Sequence, residues 1–377
     1  MRVIVIGAGL GGQLVVKSLR DHQSDASISI FSRHSAGFYS KPSLSNVFTQ
    51  GKQPKDLIVK DEKEIHLTQD CSVYPHTTVE SINREKKTVK TSKGEFSYDK
   101  LVLALGAELP QMPWLPESEN IFRVNHIDDY QKFFPRVQPE SHITIIGGGL
   151  IGVEFAHDIA PFCQKVTLIE KSPTLMAAML PMEVGEALAA ALTKRGVTVM
   201  TGADVTSVLD NQDKVAITVD GKTLQSDILL AAIGLSPNVA LAKEAGLEVN
   251  TGISVNQEGQ TSDPNIFALG DCAEVCGIVK FYVAPLRICS AIIAQNIMGM
   301  KQKIVYEPMP VMLKTPSYPV CFCYLKMPES WDVKIDDDGI EALAYEDGIL
   351  KGFVLTEKKL VERMRYKKAM PNWLPSE

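Results

Sequence analysis

The strongest pattern along the chain is a short run of apolar, mostly β-branched residues that passes through glycines into a helical pattern. It occurs at residues 3–6 and again, about 140 residues later, at residues 143–146. In each copy the apolar run predicts a buried strand, and the periodicity of the residues that follow predicts a helix. The chain therefore contains an internal repeat, which is the first guide to its architecture.

The turn between strand and helix has the same spacing of glycines, G-x-G-x-x-G, in both copies. These residues are Gly7, Gly9, Gly12, Gly147, Gly149 and Gly152. The first glycine of such a motif makes the tight turn, the second lets a pyrophosphate approach the backbone, and the third lets the helix pack on the strand. The free N–H groups at the helix start then receive the anion. One copy alone is also typical of a structural turn, whereas two copies in this context favour two bound dinucleotides.

Each predicted strand–turn–helix unit is followed by alternating apolar and polar positions that turn residues interrupt, at residues 77–107 and 205–235. This pattern predicts short antiparallel strands, and each segment closes on an apolar strand and a glycine, Gly106 and Gly234. Two units of this kind predict an α/β protein with two Rossmann-like dinucleotide-binding domains.

The end of the chain has a different pattern. Residues 331–355 alternate between apolar and polar positions and contain D-D-D-G and E-D-G, which predict tight turns between antiparallel strands. A helix is predicted over about residues 356–368. We therefore expect a small α+β C-terminal domain.

Composition narrows the function. The 377 residues suit two or three domains, and the net charge of −6 gives no indication of nucleic-acid binding. No apolar run has membrane-spanning length, and the Gly7–Gly12 turn interrupts the N-terminal run where a signal peptide would need its apolar centre. We therefore expect a cytoplasmic protein without a membrane span.

Seven cysteines are scattered along the chain, as expected for reduced thiols. Cys272 with Cys276, and Cys321 with Cys323, could form redox or metal pairs, but no second pair stands at zinc spacing, so structural roles are favoured. The seven histidines show no metal-ligand spacing either. No metal site is predicted.

The two repeats differ at the end of their second strand. In the second repeat Glu170 stands there, where a carboxylate can accept hydrogen bonds from an adenosine ribose and repel a 2′-phosphate. This favours NADH over NADPH, although the adjacent Lys171 weakens the exclusion. In the first repeat the corresponding residue is Ser32, so Ser32 or the backbone must take the place of the carboxylate.

After Gly234 comes "TSDPNIFALGDCAEV", in which an apolar strand ends at Gly270–Asp271, and a helix is predicted to start near Val283. The order of the two glycine motifs, "LVLALGA", "AAIG" and "ALGDCAE" resembles the two-dinucleotide flavoprotein family that includes glutathione reductase, over about residues 1–300. The resemblance implies FAD in the first domain, NADH in the second, and a ribityl hydroxyl bound by Asp271. The alternative for Asp271 is a turn or helix-capping aspartate.

The resemblance also suggests where the domains begin and end. We expect an FAD-binding domain over residues 1–108 and 236–304, an NADH-binding domain over residues 109–235, and a C-terminal domain over residues 305–377. The fold class is then two Rossmann-like domains of the glutathione-reductase type with a small α+β domain.

Many members of this family carry a reactive cysteine after the second strand, but the first cysteine here is Cys71. Residues 37–48 read "GFYSKPSLSNVF", and without a thiol nucleophile no disulfide relay can form. "YSKPSLSN", "PMPVMLKTP" and the late "GFVL" resemble the NADH:rubredoxin reductase group. The resemblance implies a reductase that takes hydride from NADH on FAD and passes electrons singly to rubredoxin, a small acidic iron protein.

Three other functions stay open. The acceptor could be a flavorubredoxin, a ferredoxin or an oxygenase component, or the chain could be an NADH oxidase. From a different class, it could be an NADH-sensing flavoprotein that acts by binding a partner.

The resemblance further implies a set of residues around the flavin. Lys41, with Pro42 beside it, is expected near the flavin and paired with Glu154. Val283, at the start of a predicted helix, is expected to contribute to FAD binding, and Lys314 is expected near the same ring. A cation at this position would stabilise negative charge on the reduced flavin. The alternative for Lys41 and Lys314 is that they are ordinary exposed lysines.

Residues 357–368 are the most basic part of the chain, with six basic and two acidic side chains. Lys359, Arg363 and Lys367 would share one helix face, while Leu360, Val361 and Met364 would anchor the other side. A basic face suits an acidic partner such as rubredoxin. The alternative is an ordinary solvated helix face.

Overall fold

The computed structural model describes residues 1–375 and has an α/β architecture. Its described α-helices are α1 (Leu10–Asp21), α2 (Glu62–Gln69), α3 (Ile127–Phe133), α4 (Leu150–Ile159), α5 (Met182–Lys194), α6 (Ala240–Glu244), α7 (Val283–Ile297) and α8 (Arg363–Ala369). In this part of the chain, none of the helices combines the length and the apolar character needed to cross a bilayer.

The first repeat forms a five-stranded parallel sheet, built around the buried strand that the sequence predicts at the N-terminus. Its strands lie in the order Ile266–Ala268, Lys100–Leu103, Arg2–Ile6, Ser27–Phe31 and Ser72–Tyr74. A three-stranded antiparallel meander follows, made of Val79–Asn83, Thr88–Thr91 and Gly94–Ser97. Helices α1 and α7 pack against each other.

The second repeat has the same construction, which confirms the predicted duplication. Its parallel sheet runs in the order Val197–Met200, Lys165–Ile169, His142–Ile146, Ile228–Ala231 and Ile121–Phe122. Its meander consists of Val205–Asp210, Val215–Val219 and Lys222–Ser226. The apolar residues of the two central strands, Arg2–Ile6 and His142–Ile146, are buried, as expected for parallel sheets that are covered on both faces.

The C-terminal segment forms an antiparallel sheet, as the alternating pattern predicts. The strand order is Val311–Met312, Val320–Tyr324, Ile349–Thr356, Gly339–Glu346 and Asp332–Asp336. The predicted terminal helix is split into a 3₁₀ segment, Glu357–Glu362, and α8. The C-terminal unit is therefore α+β.

The predicted domain boundaries stay a proposal, and Ser376 and Glu377 at the end of the third domain lie outside the described residues. Ala107–Glu108 pairs with Ser236–Pro237 in an antiparallel two-stranded sheet. The segment that leads out of the proposed FAD-binding domain therefore lies next to the segment that returns to it. Ile253–Val255 pairs with Ala273–Val275 in another two-stranded sheet. The two connections between the proposed FAD-binding and NADH-binding domains, at residues 107–108 and 236–237, are thus adjacent.

The hydrophobic cores show how the units pack. One core surrounds the first sheet, and a second joins buried residues of the second sheet to Val320, Phe322 and Val354 of the C-terminal sheet and to Leu44 and Val47 of the first unit. Because these side chains share one core, the three units meet beside residues 41–47 and α4.

Candidate functional site

The two glycine turns have nearly the same backbone conformation. Gly7 and Gly147 have φ values of +112° and +108°, a region that favours glycine. A Cβ on Gly12 or Gly152 would collide with the carbonyl oxygen of Gly7 or Gly147, so the third glycine allows the helix to pack closely.

The middle glycine of each motif, unlike the third, has no protein atoms close to it on the side where a Cβ would stand. Nothing lies within 4 Å of the place where a Cβ on Gly9 or Gly149 would stand, and no side chain caps the N-terminus of α1 or α4. Each turn therefore presents open space in front of free N–H groups at a helix start. This is the environment that a pyrophosphate requires, so both turns fit a dinucleotide.

Glu170 lies at the edge of the second glycine turn. One carboxylate oxygen accepts a hydrogen bond from the Gly148 N–H at 2.6 Å, and the other accepts from the Ser172 N–H at 2.7 Å. These bonds fix the carboxylate at the end of the strand Lys165–Ile169, where the sequence predicts the adenosine ribose. Gly234, at a φ of +97°, follows the strand Ile228–Ala231, on the other side of His142–Ile146 in the same sheet, and has open space beside it.

Ser32 stands at the equivalent place in the first unit, and its hydroxyl accepts a hydrogen bond from the His34 N–H at 3.2 Å. The adjacent Arg33 forms an ion pair with Glu108. The rings of His34 and His126 are stacked with centroids 4.0 Å apart. Burial lowers the pKa of His126 to about 3, which keeps its imidazole neutral at neutral pH.

Lys41 begins the 3₁₀ segment Lys41–Asn46, with Pro42 as its second residue. Burial lowers the pKa of the Lys41 ammonium, while the carboxylates of Asp271 and Asp129 act in the opposite direction. Burial also raises the pKa of Asp271, against the effect of Lys41. Lys41 is thus electrostatically coupled to Asp271, and both belong to the proposed FAD unit.

The predicted pair between Lys41 and Glu154 is wrong, because Glu154 pairs with Lys314. Glu154 is 1% exposed and accepts from the Lys314 ammonium, from the Lys314 N–H at 3.0 Å, and from the Ser45 hydroxyl at 2.6 Å. The sequence offered two lysines for one buried glutamate. Which of them pairs is decided by the packing of the 313–318 loop on α4.

The start of α7 lies beside Asp271. Helix α7 begins at Val283, the predicted position, has no side-chain cap, and packs against the 3₁₀ segment Gly270–Cys272 that carries Asp271. Gly106, at a φ of +68°, follows the strand Lys100–Leu103 of the same sheet and faces open space. The arrangement places a free helix N-terminus and a carboxylate together.

Sequence reasoning missed the contribution of α3. Asp128 accepts hydrogen bonds from both the N–H and the hydroxyl of Ser35, and Asp129 acts on Lys41. In the sequence, aspartates in the first turn of a predicted helix are interpreted as helix-capping residues. Asp129 does have that role, because its carboxylate accepts a hydrogen bond from the His126 N–H. Only the packing of α3 on the first unit shows their second role.

All seven cysteines are free, and five of them are buried: Cys71, Cys272, Cys289, Cys321 and Cys323. Burial raises the pKa of Cys272 and of Cys323 to about 12, and the Cys272 thiol donates to the carbonyl oxygens of Leu103 and Leu269. Such thiols are poor nucleophiles, which supports the structural interpretation.

The basic segment is partly neutralised within the chain. Lys359 pairs with Asp336 at 2.5 Å, and Lys367 pairs with Glu307 at 3.0 Å. The prediction that Val361 and Met364 anchor the helix is wrong, because they are 75% and 49% exposed; Leu360 makes the apolar contact instead. The split of the helix into a 3₁₀ and an α segment changes which residues share a face.

Two family models match this chain, one over the two dinucleotide-binding units and one over the C-terminal unit. The family model described as pyridine nucleotide-disulphide oxidoreductase matches residues 1–296, and the rubredoxin binding C-terminal domain matches residues 303–370. The chain belongs to the pyridine nucleotide-disulphide oxidoreductase family. The predicted family resemblance and the separate C-terminal unit are thereby confirmed.

Relatives in this oxidoreductase family match along nearly the whole chain. The rubredoxin-NAD(+) reductase of Alcanivorax borkumensis is 36% identical over 99% of this chain and 99% of its own. The nitric oxide reductase FlRd-NAD(+) reductase of Vibrio vulnificus is 35% identical over 94% of each chain.

Solved structures show the same oxidoreductase fold. The covalent putidaredoxin reductase–putidaredoxin complex matches with a TM-score of 0.89 at 24% identity, over 98% of this chain and 94% of that one. The NADH:rubredoxin oxidoreductase of Clostridium acetobutylicum matches with a TM-score of 0.83 at 20% identity, over 98% and 94%.

Proposed function

We propose that this chain is an FAD-dependent NADH:rubredoxin reductase of the cytoplasm. The observation that carries the proposal is the combination, in one chain, of two open glycine turns and a C-terminal unit that matches the rubredoxin binding domain. The full-length similarity to a rubredoxin-NAD(+) reductase supports the same function. Seven free cysteines suit a reducing compartment.

Two sets of residues would hold the two dinucleotides. For FAD we propose Gly7, Gly9, Gly12, Ser32, Lys41, Pro42, Gly106, Asp271, Val283 and Lys314. For NADH we propose Gly147, Gly149, Gly152, Glu170 and Gly234. Of these, Lys41, Lys314 and Glu154 would also act on the reaction.

The cofactor supplies the redox chemistry, since a bound flavin accepts hydride from NADH and passes on single electrons. The protein would bind and orient the two dinucleotides and supply charge near the flavin. The free N–H groups of α1 and α4 bind pyrophosphate, and the Asp271 carboxylate accepts hydrogen bonds from hydroxyls. Lys41 and Lys314 supply positive charge, and Glu154 fixes the position of the Lys314 ammonium.

The chain lacks the thiol that other members of the family use as a relay. Its first cysteine is Cys71, and burial raises the pKa of that thiol to about 11. The Cys71 thiol is therefore not ionised at neutral pH and is a poor candidate for a relay. Without such a relay, electrons would pass directly to the partner protein, as in an electron-transfer reductase.

The second candidate acceptor is a flavorubredoxin. It is favoured by the 35% identity to a nitric oxide reductase FlRd-NAD(+) reductase over 94% of each chain. This alternative concerns the acceptor alone, so the proposed NADH and FAD sites would be unchanged.

Stopped-flow mixing tests the function. NADH should bleach the flavin absorbance of the holoprotein, and the reduced protein should then reduce rubredoxin much faster than it reduces a ferredoxin or oxygen. A preference for ferredoxin or oxygen would contradict the proposal, as would a long-lived reduced complex that reduces none of them.

A further inference from the structure

Lys171 directly follows Glu170, the residue proposed to bind the adenosine ribose, and that ribose carries the 2′-phosphate in NADPH. An ammonium at this position would favour NADPH, against the effect of the neighbouring carboxylate. In the structure, however, the Lys171 ammonium lies 3.1 Å from the carboxylate of Asp204. The cation therefore already has an acidic partner from another segment.

The segment that carries Asp204 is held beside Glu170 by the backbone. The Ala203 N–H donates to the Glu170 carbonyl at 3.0 Å, and the Gly202 N–H donates to the Ser172 carbonyl at 2.8 Å. Asp204 is itself tethered, because its N–H donates to the Asp220 carboxylate at 3.2 Å. Asp204 is thus a fixed part of the rim of the second glycine turn.

The charges at this rim are Glu170, Lys171 and Asp204, with Asp220 behind them. Without Asp204, the Glu170 and Lys171 charges would cancel, and the ammonium would be free to meet a phosphate. With Asp204, the three side chains carry a net negative charge. The pair is also exposed, with 79% of the Lys171 side chain and 53% of the Asp204 side chain accessible, so neither charge is shielded by the protein from a ligand.

We propose that Asp204 determines coenzyme specificity as a positioning residue, by holding the Lys171 ammonium away from the coenzyme and so excluding NADPH. The inference rests on the proposed NADH site at Gly147–Glu170. Its ligand class is a nicotinamide dinucleotide without a 2′-phosphate. Glu170 repels that phosphate directly, whereas Asp204 acts through Lys171.

The test measures binding of NAD⁺ and NADP⁺ to the oxidised holoprotein by titration calorimetry, where no turnover occurs. Asp204→Asn should tighten NADP⁺ binding by about twofold to fivefold, as expected for one exposed charge interaction, and leave NAD⁺ binding unchanged. The gain should shrink as ionic strength rises. Asp204→Glu, which keeps the ion pair, should retain the parent's preference.

A double variant separates the two ways in which Asp204 could act. If Asp204 works through Lys171, then Asp204→Asn should bring no gain in a Lys171→Met background. The matched control is Asp21→Asn, which removes the same charge from the exposed Lys17–Asp21 pair on α1. It should change neither affinity.

Three results would overturn the inference: unchanged NADP⁺ binding in Asp204→Asn, an equal gain in the Lys171→Met background, or parallel changes for both coenzymes. Failure of the proposed function is distinguishable from these results. It would appear as the absence of flavin reduction by NADH in the parent protein.

Discussion

At the scale of single residues, Glu154 shows what the sequence can and cannot predict. The family resemblance implies that this glutamate, in the helix after the second glycine motif, pairs with a lysine, and the structure contains such a pair. The partner is Lys314, 160 residues away, rather than Lys41. Sequence spacing cannot decide between two lysines on different loops, because the choice depends on which loop packs on α4.

A double-mutant cycle tests this pair. Lys314→Met leaves the Glu154 carboxylate buried without a cation, so we expect the free energy of unfolding of the holoprotein to fall by about 3 kcal/mol. Adding Glu154→Gln to that variant should restore part of the loss, because the buried charge is removed. Denaturant unfolding measures both effects.

The matched control uses the other lysine. Lys41→Met and Glu154→Gln should combine additively, because Lys41 is coupled to Asp271 and Asp129 instead. Additivity in the Lys314 cycle, or coupling in the Lys41 cycle, would contradict the pairing seen in the structure.

At the scale of elements, α4 connects the three units through one face. Glu154, His157 and Asp158 follow the spacing i, i+3 and i+4, so they lie on the same side of the helix. The His157 Nε2 lies 2.8 Å from the Ser317 hydroxyl, and the Asp158 carboxylate accepts from the N–H groups of Phe48 and Thr49. One helix therefore contacts both the C-terminal loop and the segment after Lys41.

The His157 contact should make stability depend on pH. The side chain is 2% exposed, and burial lowers its pKa to about 4. The unfolded chain binds this proton near its ordinary pKa of about 6.5, so stability is present above that value and is lost as the pH falls towards 4. The loss from this one residue should be up to about 3 kcal/mol.

His157→Gln provides the comparison, since glutamine can still bond to Ser317 but does not titrate. The unfolding free energy of the parent should fall more steeply than that of the variant between pH 7 and pH 4. Burial raises the pKa of Asp158, so this group also makes stability depend on pH. Its contribution is the same in the parent and in His157→Gln and cancels when the two curves are compared. Parallel curves would show that His157 does not titrate as its burial requires.

The elements that could be predicted are those whose signals are local. Glycine turns, buried strands and meanders are predicted from the glycine spacing, the apolar runs and the alternation of apolar and polar positions, and α7 begins at Val283 as predicted. The sequence does not predict the 3₁₀ segment Lys41–Asn46, because so short a segment has no period of its own. The terminal helix was predicted as one element, but Glu357, at a φ of +50°, begins a 3₁₀ segment before α8.

At the scale of the whole molecule, the surface of the C-terminal unit differs from the predicted basic face. Ion pairs hold Lys359 and Lys367 to the sheet and to the 305–310 segment, so their charges are partly neutralised. Arg363 and Lys368 stay exposed. A count of charges along the sequence could not separate these groups, because the acidic partners Asp336 and Glu307 come from earlier segments.

The docking prediction therefore moves to the exposed cations. Arg363→Glu together with Lys368→Glu should slow electron delivery to rubredoxin about tenfold at low ionic strength and flatten its dependence on salt, because steering of an acidic partner is lost. Reduction of the flavin by NADH should be unchanged. The control, Lys222→Glu with Lys243→Glu, makes the same change in net charge on exposed positions outside the C-terminal unit and should have a much smaller effect. If the two double variants slow delivery equally, the partner responds only to net charge, and the docking surface lies elsewhere.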